Sequence, residues 1–360
     1  MSHKAIAHID LNALKNNLEH IRKGVPNCKI LAMVKRNAYG HGAVKVAETL
    51  RNEIEVFGVA CLDEAIELYE AGIAKPILIL MGFMDEEELC LIDRYGFDTV
   101  VHNETQLNVL EKTKLRHKIN VWLKVDTGMH RLGFQPEEVR KVYERLAQSD
   151  KVNFPIHLMT HFSDADDVTH VKTAKQIDCF LRAVDGLAAE YSLANSSAIL
   201  NWPKSHQGLI RPGILLYGVS PLAAPAITGA ELGITPVMTL KSRLIAIHDL
   251  SKGDTVGYGS TWECPEAMRI GIVAIGYGDG YPRGVESGTP VLVNGIICPL
   301  IGRVAMDMIT VDLRKNPQAK IGDEVVLWGK GLPIETIALH AKTVPYELLC
   351  RLTSRVNYKF

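Results

Sequence analysis

The first two-thirds of the chain alternate short apolar runs with amphipathic segments. Each apolar run has the length of a buried strand, and segments between them, such as Leu11–Ile21, repeat apolar residues at helical spacing. Asn103, followed three residues later by Gln106, is typical of a capping box that opens a helix. The predicted strands are Ile30–Val34, Val56–Ala60, Pro76–Leu80, Thr99–Val101, Asn120–Val125, Pro155–Thr160, Leu193–Ala198 and Leu209–Arg211.

Repeated strand–helix units predict a parallel sheet, and about eight of them predict a (β/α)8 barrel. The pattern changes after about Gly218, where Val219–Ala226 is typical of a linker. Beyond it, turn residues separate apolar runs, which predicts a mostly β region with one short helix near Ile334–Ala341. The predicted strands there are Met238–Ile247, Ile270–Ile275, Val291–Ile297 and Glu324–Leu327.

The sequence therefore predicts an α/β protein with two domains. An N-terminal (β/α)8 TIM-type barrel occupies residues 1–225, and a mostly β C-terminal domain occupies residues 226–360. The first strand, at 5–10, could belong to either domain.

Composition narrows the classes of partner and compartment. The formal net charge of −1 argues against a nucleic-acid partner, which would call for a basic face. The seven cysteines are odd in number and form no CxxC pair, which favours reduced thiols and no zinc site or other metal. The N-terminus lacks the apolar run of a signal peptide, and no run of about 18 apolar residues occurs to span a membrane. We therefore expect a cytoplasmic protein.

Lys35 is the first candidate for chemistry, because it ends a predicted buried strand. The carboxyl ends of barrel strands face the active site, and a lysine among apolar neighbours there can have a lowered pKa and form a Schiff base. A lysine that extends its ammonium to solvent is the alternative reading. Gly40 and Gly42, which allow close backbone approach, and the hydroxyl of Tyr39 favour the catalytic interpretation.

Further polar clusters follow the ends of other predicted strands. Such shared placement is difficult to explain by packing alone. The clusters after barrel strands are Leu123–Gly133, Met159–Phe162, Ala194–Ser197 and Ile210–Ile214. Two more, Val256–Trp262 and Ala274–Arg283, lie in the β region, where each alone is typical of a turn with packed aromatic residues.

Taken together, these clusters resemble the alanine racemase family, whose members bind pyridoxal 5′-phosphate (PLP) and join a barrel to a C-terminal β domain. The resemblance runs from about Ile6 to Val356, and seven motifs occur in the family's order: VKxNAYGHG, KVDTGMxRLG, THF, RPG, GYGSTW, GYGDGYPR and GRVAMDM. It implies a homodimer that interconverts L-alanine and D-alanine, either to supply D-alanine for the peptidoglycan of the cell wall or to catabolise it.

The resemblance also implies a role for each matching residue. Lys35 would form the Schiff base and act as one catalytic base, and Tyr258 of the partner subunit would be the base on the opposite face. Arg211 would face the pyridine nitrogen, with His161 hydrogen-bonded nearby. The phosphate would be held by Tyr39, Ser196, Gly213, Ile214 and Tyr346. The substrate would meet Arg131, the backbone N–H of Met306, and Tyr277 at the entrance, while Lys124 would be carbamylated to hold Arg131.

The chemistry explains why these residue types are needed. Racemisation removes the α-proton from one face and returns a proton to the other, which two bases on opposite faces can do. A phenol is protonated at neutral pH, so His161 and Arg211 would have to favour the Tyr258 phenolate. An arginine keeps its proton, so Arg211 would leave the ring nitrogen unprotonated and limit side reactions such as transamination.

Three alternatives stay open beside this interpretation. The first is a racemase of other specificity, such as serine or a broad range of amino acids. The second is a non-catalytic PLP-binding protein on the same barrel, which would lack the β domain. The third is a related decarboxylase, which would need an acidic residue where Arg211 stands. One departure from the family is Arg36, which replaces a smaller residue and is expected to face the helices or a loop.

Overall fold

The computed structural model describes residues 5–222 and 227–360. The chain forms two compact units. The first contains Leu18–Leu216, and the second contains Tyr217–Ser220 with the described parts of the N-terminal 17 and the C-terminal 135 residues. The expected domain boundary at residue 225, and part of the linker expected at Val219–Ala226, fall outside the described residues.

Eighteen strands, eleven α-helical segments and four short 3-10 turns lie in the described ranges. The strands are β1 (Ile6–Ile9), β2 (Lys29–Met33), β3 (Val56–Val59), β4 (Ile77–Ile79), β5 (Asp98–Val101), β6 (Val121–Lys124), β7 (Ile156–Met159), β8 (Ala189–Ser192), β9 (Leu209–Ile210), β10 (Met238–Leu250), β11 (Thr255–Val256), β12 (Trp262–Glu263), β13 (Met268–Val273), β14 (Pro290–Val293), β15 (Ile296–Ile301), β16 (Ile309–Asp312), β17 (Glu324–Trp328) and β18 (Asn357–Lys359). The helical segments are α1 (Leu11–Gly24), α2 (Lys35–Gly40), α3 (Ala43–Leu50), α4 (Leu62–Glu70), α5 (Glu86–Tyr95), α6 (Glu104–Lys112), α7 (Val139–Gln148), α8 (Lys172–Ala183), α9 (Ser196–Asn201), α10 (Ile334–His340) and α11 (Pro345–Cys350).

The first unit is the predicted (β/α)8 barrel. Its eight parallel strands follow the order β8-β7-β6-β5-β4-β3-β2-β9, and a parallel bridge between Asn195 and Arg211 joins the two ends. The amide of Arg211 donates to the carbonyl of Ala194 at 2.8 Å across that closure. The carboxyl ends of all eight strands therefore meet at one rim of the barrel.

The predicted strand at Leu193–Ala198 is wrong. The barrel strand is β8, four residues earlier, and Asn195 accepts a hydrogen bond from the amide of Ala198 at 3.0 Å as the N-cap of α9. A side chain that accepts from the first turn starts a helix at this position. Asn103 caps α6 in the same way, through the amide of Gln106 at 2.8 Å, which confirms the predicted helix start.

The second unit is mostly β, as expected. Its main sheet has the order β13-β16-β15-β14-β17-β10-β1-β18, and β10 also pairs with β13, so six of these strands form a closed ring. β1 pairs with β10 and β18 in this sheet and not with the barrel strands.

Two expectations for this unit are wrong. The run Val291–Ile297 was expected to be one strand, but it is a hairpin in which Asn294 and Gly295, with φ of 49° and 79°, join β14 to β15. Asn-Gly suits such a turn because both residues tolerate positive φ. A second helix, α11, follows the expected one at α10. No helix in the described ranges is both long and apolar enough to cross a membrane.

Candidate active site

Lys35 stands at the carboxyl end of β2, where α2 begins. The four residues after it, Arg36 to Tyr39, all have φ between 52° and 54°, so α2 is a left-handed turn. L-residues avoid this conformation, which costs roughly 1–2 kcal/mol each. The direction in which Lys35 leaves the strand is therefore set by a strained segment that its surroundings must hold.

Three side chains hold the left-handed turn. Glu64 on α4 accepts the amide of Arg36 at 2.6 Å and the amide of Ala60 at 2.8 Å, which ties α2 to the end of β3. Asn37 Oδ1 accepts the amide of Ala43 at 2.7 Å. His41 Nδ1 lies 3.0 Å from the carbonyls of Ala38 and Tyr39, so it must carry the proton and donate to them.

The rim of the barrel concentrates positive charge. Lys124 ends β6 and is buried, and its pKa falls to about 7. Burial is the largest cause, the charges of Arg211, Arg131 and Lys35 act in the same direction, and Asp126 opposes them. A group that carries negative charge would be favoured at this rim.

Arg211, which follows β9, is held by main-chain oxygens. Nη1 donates to the carbonyl and the hydroxyl of Ser192, both at 2.7 Å, and Nη2 donates to the carbonyls of Thr160 at 2.7 Å and Leu193 at 3.0 Å. Burial lowers the pKa of the guanidinium to about 10, so it stays charged at neutral pH. These four bonds leave the Nε–H without an acceptor among the described residues.

His161 lies beside Arg211, with Nδ1 at 3.4 Å from Nη2. Burial, followed by the charges of Arg211 and Lys124, holds the pKa of this imidazole well below its usual range. The ring is therefore neutral. Because guanidinium nitrogens only donate, Nδ1 is the acceptor and Nε2 carries the proton.

Tyr39, Ser196 and Gly213 converge at another part of the rim. The amide of Gly213 donates to Ser196 Oγ at 2.8 Å. A Cβ at Gly213 would lie 2.6 Å from the hydroxyl of Tyr39, so any larger residue here would displace that hydroxyl. Ile214, the next residue, is fully buried. The group presents two hydroxyls and backbone amides, with no cation among its members.

Arg131 lies on the loop after β6, with its side chain exposed. Asp126 shapes this loop by accepting the amides of Gly128 and His130, each at 3.0 Å. Burial raises the pKa of Asp126, but the hydrogen bonds of His130 and Gly128 outweigh it, and the net pKa is lowered. The carboxylate therefore stays ionised and keeps the loop in place.

The remaining candidates lie in the β unit. Tyr258, in a short turn between β11 and β12, is 71% exposed, and Met306 is 52% exposed. Tyr277 and Met306 sit on adjoining turns, because the amide of Gly278 donates to the carbonyl of Met306 at 2.8 Å. Tyr346 lies on α11.

Sequence reasoning missed several residues of this site. Ser192 was missed because β8 was assigned too late in the chain. Thr160 appeared only as a neighbour of His161, although its carbonyl accepts from Arg211. The position of Glu64 in the first turn of a helix is a weak sequence signal, because a glutamate there often accepts hydrogen bonds from the amides just before the helix.

Comparison with known proteins decides the family. The family model "Alanine racemase, N-terminal domain" matches residues 9–221, and "Alanine racemase, C-terminal domain" matches residues 237–360. The chain belongs to the alanine racemase family. This agrees with the resemblance drawn from the seven motifs, and the two matches cover the barrel and the β unit in turn.

Members of the alanine racemase family match along almost the whole chain. Alanine racemase of Coxiella burnetii (strain CbuK_Q154) is 49% identical, covering 99% of this chain and 98% of its own length. The relative named "Alanine racemase, biosynthetic" of Escherichia coli K12 is 50% identical, covering 98% of each chain.

Solved structures of alanine racemases share the fold. The biosynthetic alanine racemase of Pseudomonas aeruginosa has a TM-score of 0.96 at 41% identity and covers 99% of each chain. The alanine racemase of Bartonella henselae, described with covalently bound pyridoxal phosphate, has a TM-score of 0.88 at 28% identity, again over 99% of each chain.

Proposed function

We propose that the chain is an alanine racemase that interconverts L-alanine and D-alanine with PLP bound to Lys35. The observation that carries the proposal is the rim of the barrel, where Lys35 shares its surroundings with Lys124, Arg131 and Arg211. The guanidinium groups of Arg131 and Arg211 suit an anionic cofactor and a carboxylate substrate. Full-length relatives named alanine racemase support the reaction.

The rim residues fit PLP in three respects. The Nε–H of Arg211 has no acceptor among the described residues and would donate to the ring nitrogen. Tyr39, Ser196, Gly213 and Ile214 would hold the phosphate through hydroxyls and backbone amides. PLP, when bound, supplies an aldehyde carbon for the amine of Lys35 and a ring that accepts the electron pair left by the α-proton.

Two bases would move the α-proton. Lys35 would hold and transfer a proton on one face of the substrate, and Tyr258 of the partner subunit would do so on the opposite face. His161 would act near that tyrosine through a neutral ring that accepts from Arg211 at 3.4 Å. Arg211 cannot give up its proton at neutral pH, so it would keep the ring nitrogen unprotonated and limit transamination.

Four further residues would contact the substrate or the phosphate. Arg131 would pair with the carboxylate of alanine, and Met306 would donate its backbone N–H to the same group. Tyr277 would line the entrance, and Tyr346 would complete the phosphate contacts. The C-terminal family match that includes these β-unit residues argues against a non-catalytic barrel protein.

Lys124 would carry a carbamate. A pKa near 7 leaves much of its amine uncharged at neutral pH, and only an uncharged amine adds CO2. The product is an anion, which would pair with Arg131 through charge-assisted hydrogen bonds. We expect Lys124→Ala to lose activity and acetate to restore part of it. Failure of acetate to restore any activity would count against the carbamate.

A homodimer is part of the proposal, because Tyr258 is meant to act in the partner's site. The exposed aromatic and apolar side chains of the β unit support it. A surface with Tyr258 at 71% and Met306 at 52% exposure would be covered by a second copy.

The biological role proposed is the supply of D-alanine for peptidoglycan in the cytoplasm. Relatives named biosynthetic at 49–50% identity favour supply over breakdown. Deletion of the gene should then make growth depend on added D-alanine, and cell fractionation should recover the protein with cytoplasmic markers. Growth without D-alanine would favour the catabolic role.

The direct test is conversion of L-alanine to D-alanine by the purified protein. Lys35→Ala should abolish both the conversion and the visible absorbance of bound PLP, whereas Lys45→Ala, at an exposed lysine on α3 paired with Glu48, should change neither. A panel of L-serine, L-lysine and L-arginine tests specificity. Turnover of serine with no turnover of alanine would replace the proposed substrate.

A further inference from the structure

Gln176, on α8, joins the two loops that follow β6 and β7. Its side chain is buried, with an exposure of 1%. Nε2 donates to Thr127 Oγ1 at 3.3 Å and to the carbonyl of His161 at 3.2 Å. Oε1 accepts the amide of Ser163 at 3.1 Å, while the hydroxyl of Ser163 donates its one proton to Asp164. The main-chain partners fix which end of the amide is nitrogen.

The direction of every hydrogen bond in this group can be worked out. Thr160 Oγ1 lies 3.0 Å from the carbonyl of Val125, which only accepts, so Thr160 donates there. Thr127 Oγ1, at 2.8 Å from Thr160 Oγ1, must then donate to Thr160. Thr127 in turn accepts from Gln176. The result is a hydrogen-bond chain that runs in one direction, from the amide of Gln176 through Thr127 and Thr160 to the carbonyl of Val125.

Two residues that these hydrogen bonds hold, Thr160 and His161, also lie against Arg211. The carbonyl of Thr160 accepts from Arg211 Nη2 at 2.7 Å, and the ring of His161 lies 3.4 Å from the same nitrogen. Gln176 bonds to the main chain on either side of the Phe162 residue, at the carbonyl of His161 and the amide of Ser163. A change at Gln176 therefore reaches Thr160 and His161, two of the four residues around Arg211, through one or two hydrogen bonds.

We infer that Gln176 is a positioning residue that sets the place of His161 and Arg211 through Thr127 and Thr160. It donates at two points and accepts at one, and an ionised carboxylate cannot supply the two donors. The kinetic consequence rests on the proposed function, since it assumes that His161 and Arg211 serve alanine racemisation.

Gln176→Glu tests the inference with almost no change in volume. A neutral acid could donate one bond, but an ionised one would repel the carbonyl of His161 and reverse the Thr127 hydroxyl. The titratable and charged groups on the two contacted loops are Asp126, His130, Arg131, Glu137, Glu138, His161, Asp164, Asp166, Asp167 and His170, and those nearest on α8 are Lys172, Lys175 and Asp178. We expect kcat to fall roughly tenfold to hundredfold, with little change in KM, and the ratio to wild type to fall further as pH rises.

Gln106→Glu is the matched control. Gln106 is also a buried barrel glutamine, 4% exposed, and it makes three bonds to main chain: it accepts from His102 at 2.9 Å and donates to Met81 at 3.2 Å and Phe83 at 2.9 Å. None of these is a proposed site residue. Both variants should be less stable than wild type, but only Gln176→Glu should have a lower kcat. Equal loss of kcat in both would overturn the positioning role.

A second pair of variants tests the hydroxyl chain. Thr127→Val removes the link between Gln176 and Thr160, whereas Thr127→Ser keeps it. We expect Thr127→Val to resemble Gln176→Glu and Thr127→Ser to resemble wild type. Equal kcat values for Thr127→Val and Thr127→Ser would contradict the hydrogen-bond chain.

A measurement without PLP separates this inference from the proposed function. In the cofactor-free protein with isotope-labelled histidine, the NMR signal of the His161 ring, assigned with His161→Gln, should move in Gln176→Glu and stay in place in Gln106→Glu. An unmoved signal would overturn the inference even if alanine is racemised. If the signal moves but the protein does not racemise alanine, the proposed function is wrong and the positioning inference stands.

Discussion

At the scale of single residues, Arg211 shows how a buried cation is kept charged. Three carbonyls and one hydroxyl surround its two terminal nitrogens and leave Nε–H for a ligand. A lysine ammonium has three donors at one point and cannot supply both sets of bonds. The arrangement therefore specifies arginine and not merely positive charge.

We expect Arg211→Lys to lower kcat by roughly hundredfold, because the Nε–H that is proposed to donate to the ring nitrogen is lost. Arg243→Lys, at a residue whose guanidinium bonds to the carbonyl of Gly322 at the surface, is the control and should keep wild-type kcat. The measurement is the initial rate of D-alanine formation. A wild-type rate in Arg211→Lys would show that a positive charge alone is sufficient.

Lys124 makes stability depend on pH. Its pKa is about 7 in the folded chain, below the ordinary value of 10.5, so the unfolded chain binds more protons between these values. The cost of burying its charge is full below about pH 7 and disappears as pH rises toward 10.

Lys124→Met should therefore raise the thermal midpoint of the cofactor-free protein most at or below about pH 7, in buffer free of CO2, and the gain should shrink at higher pH. Calorimetry across this range measures it. Lys45→Met, at an exposed lysine, should give no such trend. A gain that is the same at every pH would mean that the folded-state pKa is not lowered.

At the scale of elements, the left-handed turn α2 is the least ordinary part of the fold. Arg36 is exposed, and its φ of 52° strains any residue with a Cβ. Arg36→Gly should stabilise the protein by about 1 kcal/mol, because glycine adopts this conformation without the steric cost. Urea unfolding measures the change, with Arg36→Ala as the control that keeps the Cβ. Equal stabilities of the two variants would argue against strain at this position.

The barrel strands with continuous apolar runs were predictable, and β8 was not. Strands such as β2 and β6 are buried on both faces and contain the β-branched and large apolar residues that mark a buried strand. β8, Ala189–Ser192, is half-exposed over three of its four residues and has no such run. The strand was predicted too late in the chain because Leu193 and Ala194 are apolar, although Asn195 is a good N-cap.

The sequence allowed the candidate site residues to be predicted where a reactive side chain follows the end of a strand. It did not allow prediction of the residues that hold them in place. Lys35, Lys124 and His161 lie at or next to the ends of β2, β6 and β7. Gln176 and Glu64 lie on helices far from those motifs in sequence, and only the folded barrel brings their polar atoms to the loops. The four positive φ values of α2 also lack a sequence signal, since its residues are not glycine.

At the scale of the whole molecule, we expect a stable dimer. The β unit exposes Tyr258, Met306 and Met308 at 71%, 52% and 44%, and a second copy would remove this apolar surface from water. Sedimentation equilibrium at assay concentration should give twice the chain mass. Fully active monomers would exclude a site shared between subunits.

The most direct test of the whole account is to mix two inactive variants, Lys35→Ala and Tyr258→Phe, and let their subunits exchange. If each site combines Lys35 of one subunit with Tyr258 of the other, half of the dimers are mixed and each has one intact site, which predicts recovery of about a quarter of wild-type racemisation. If the mixture stays inactive after exchange is shown by sedimentation of tagged subunits, while wild type racemises alanine, the shared two-base site is wrong.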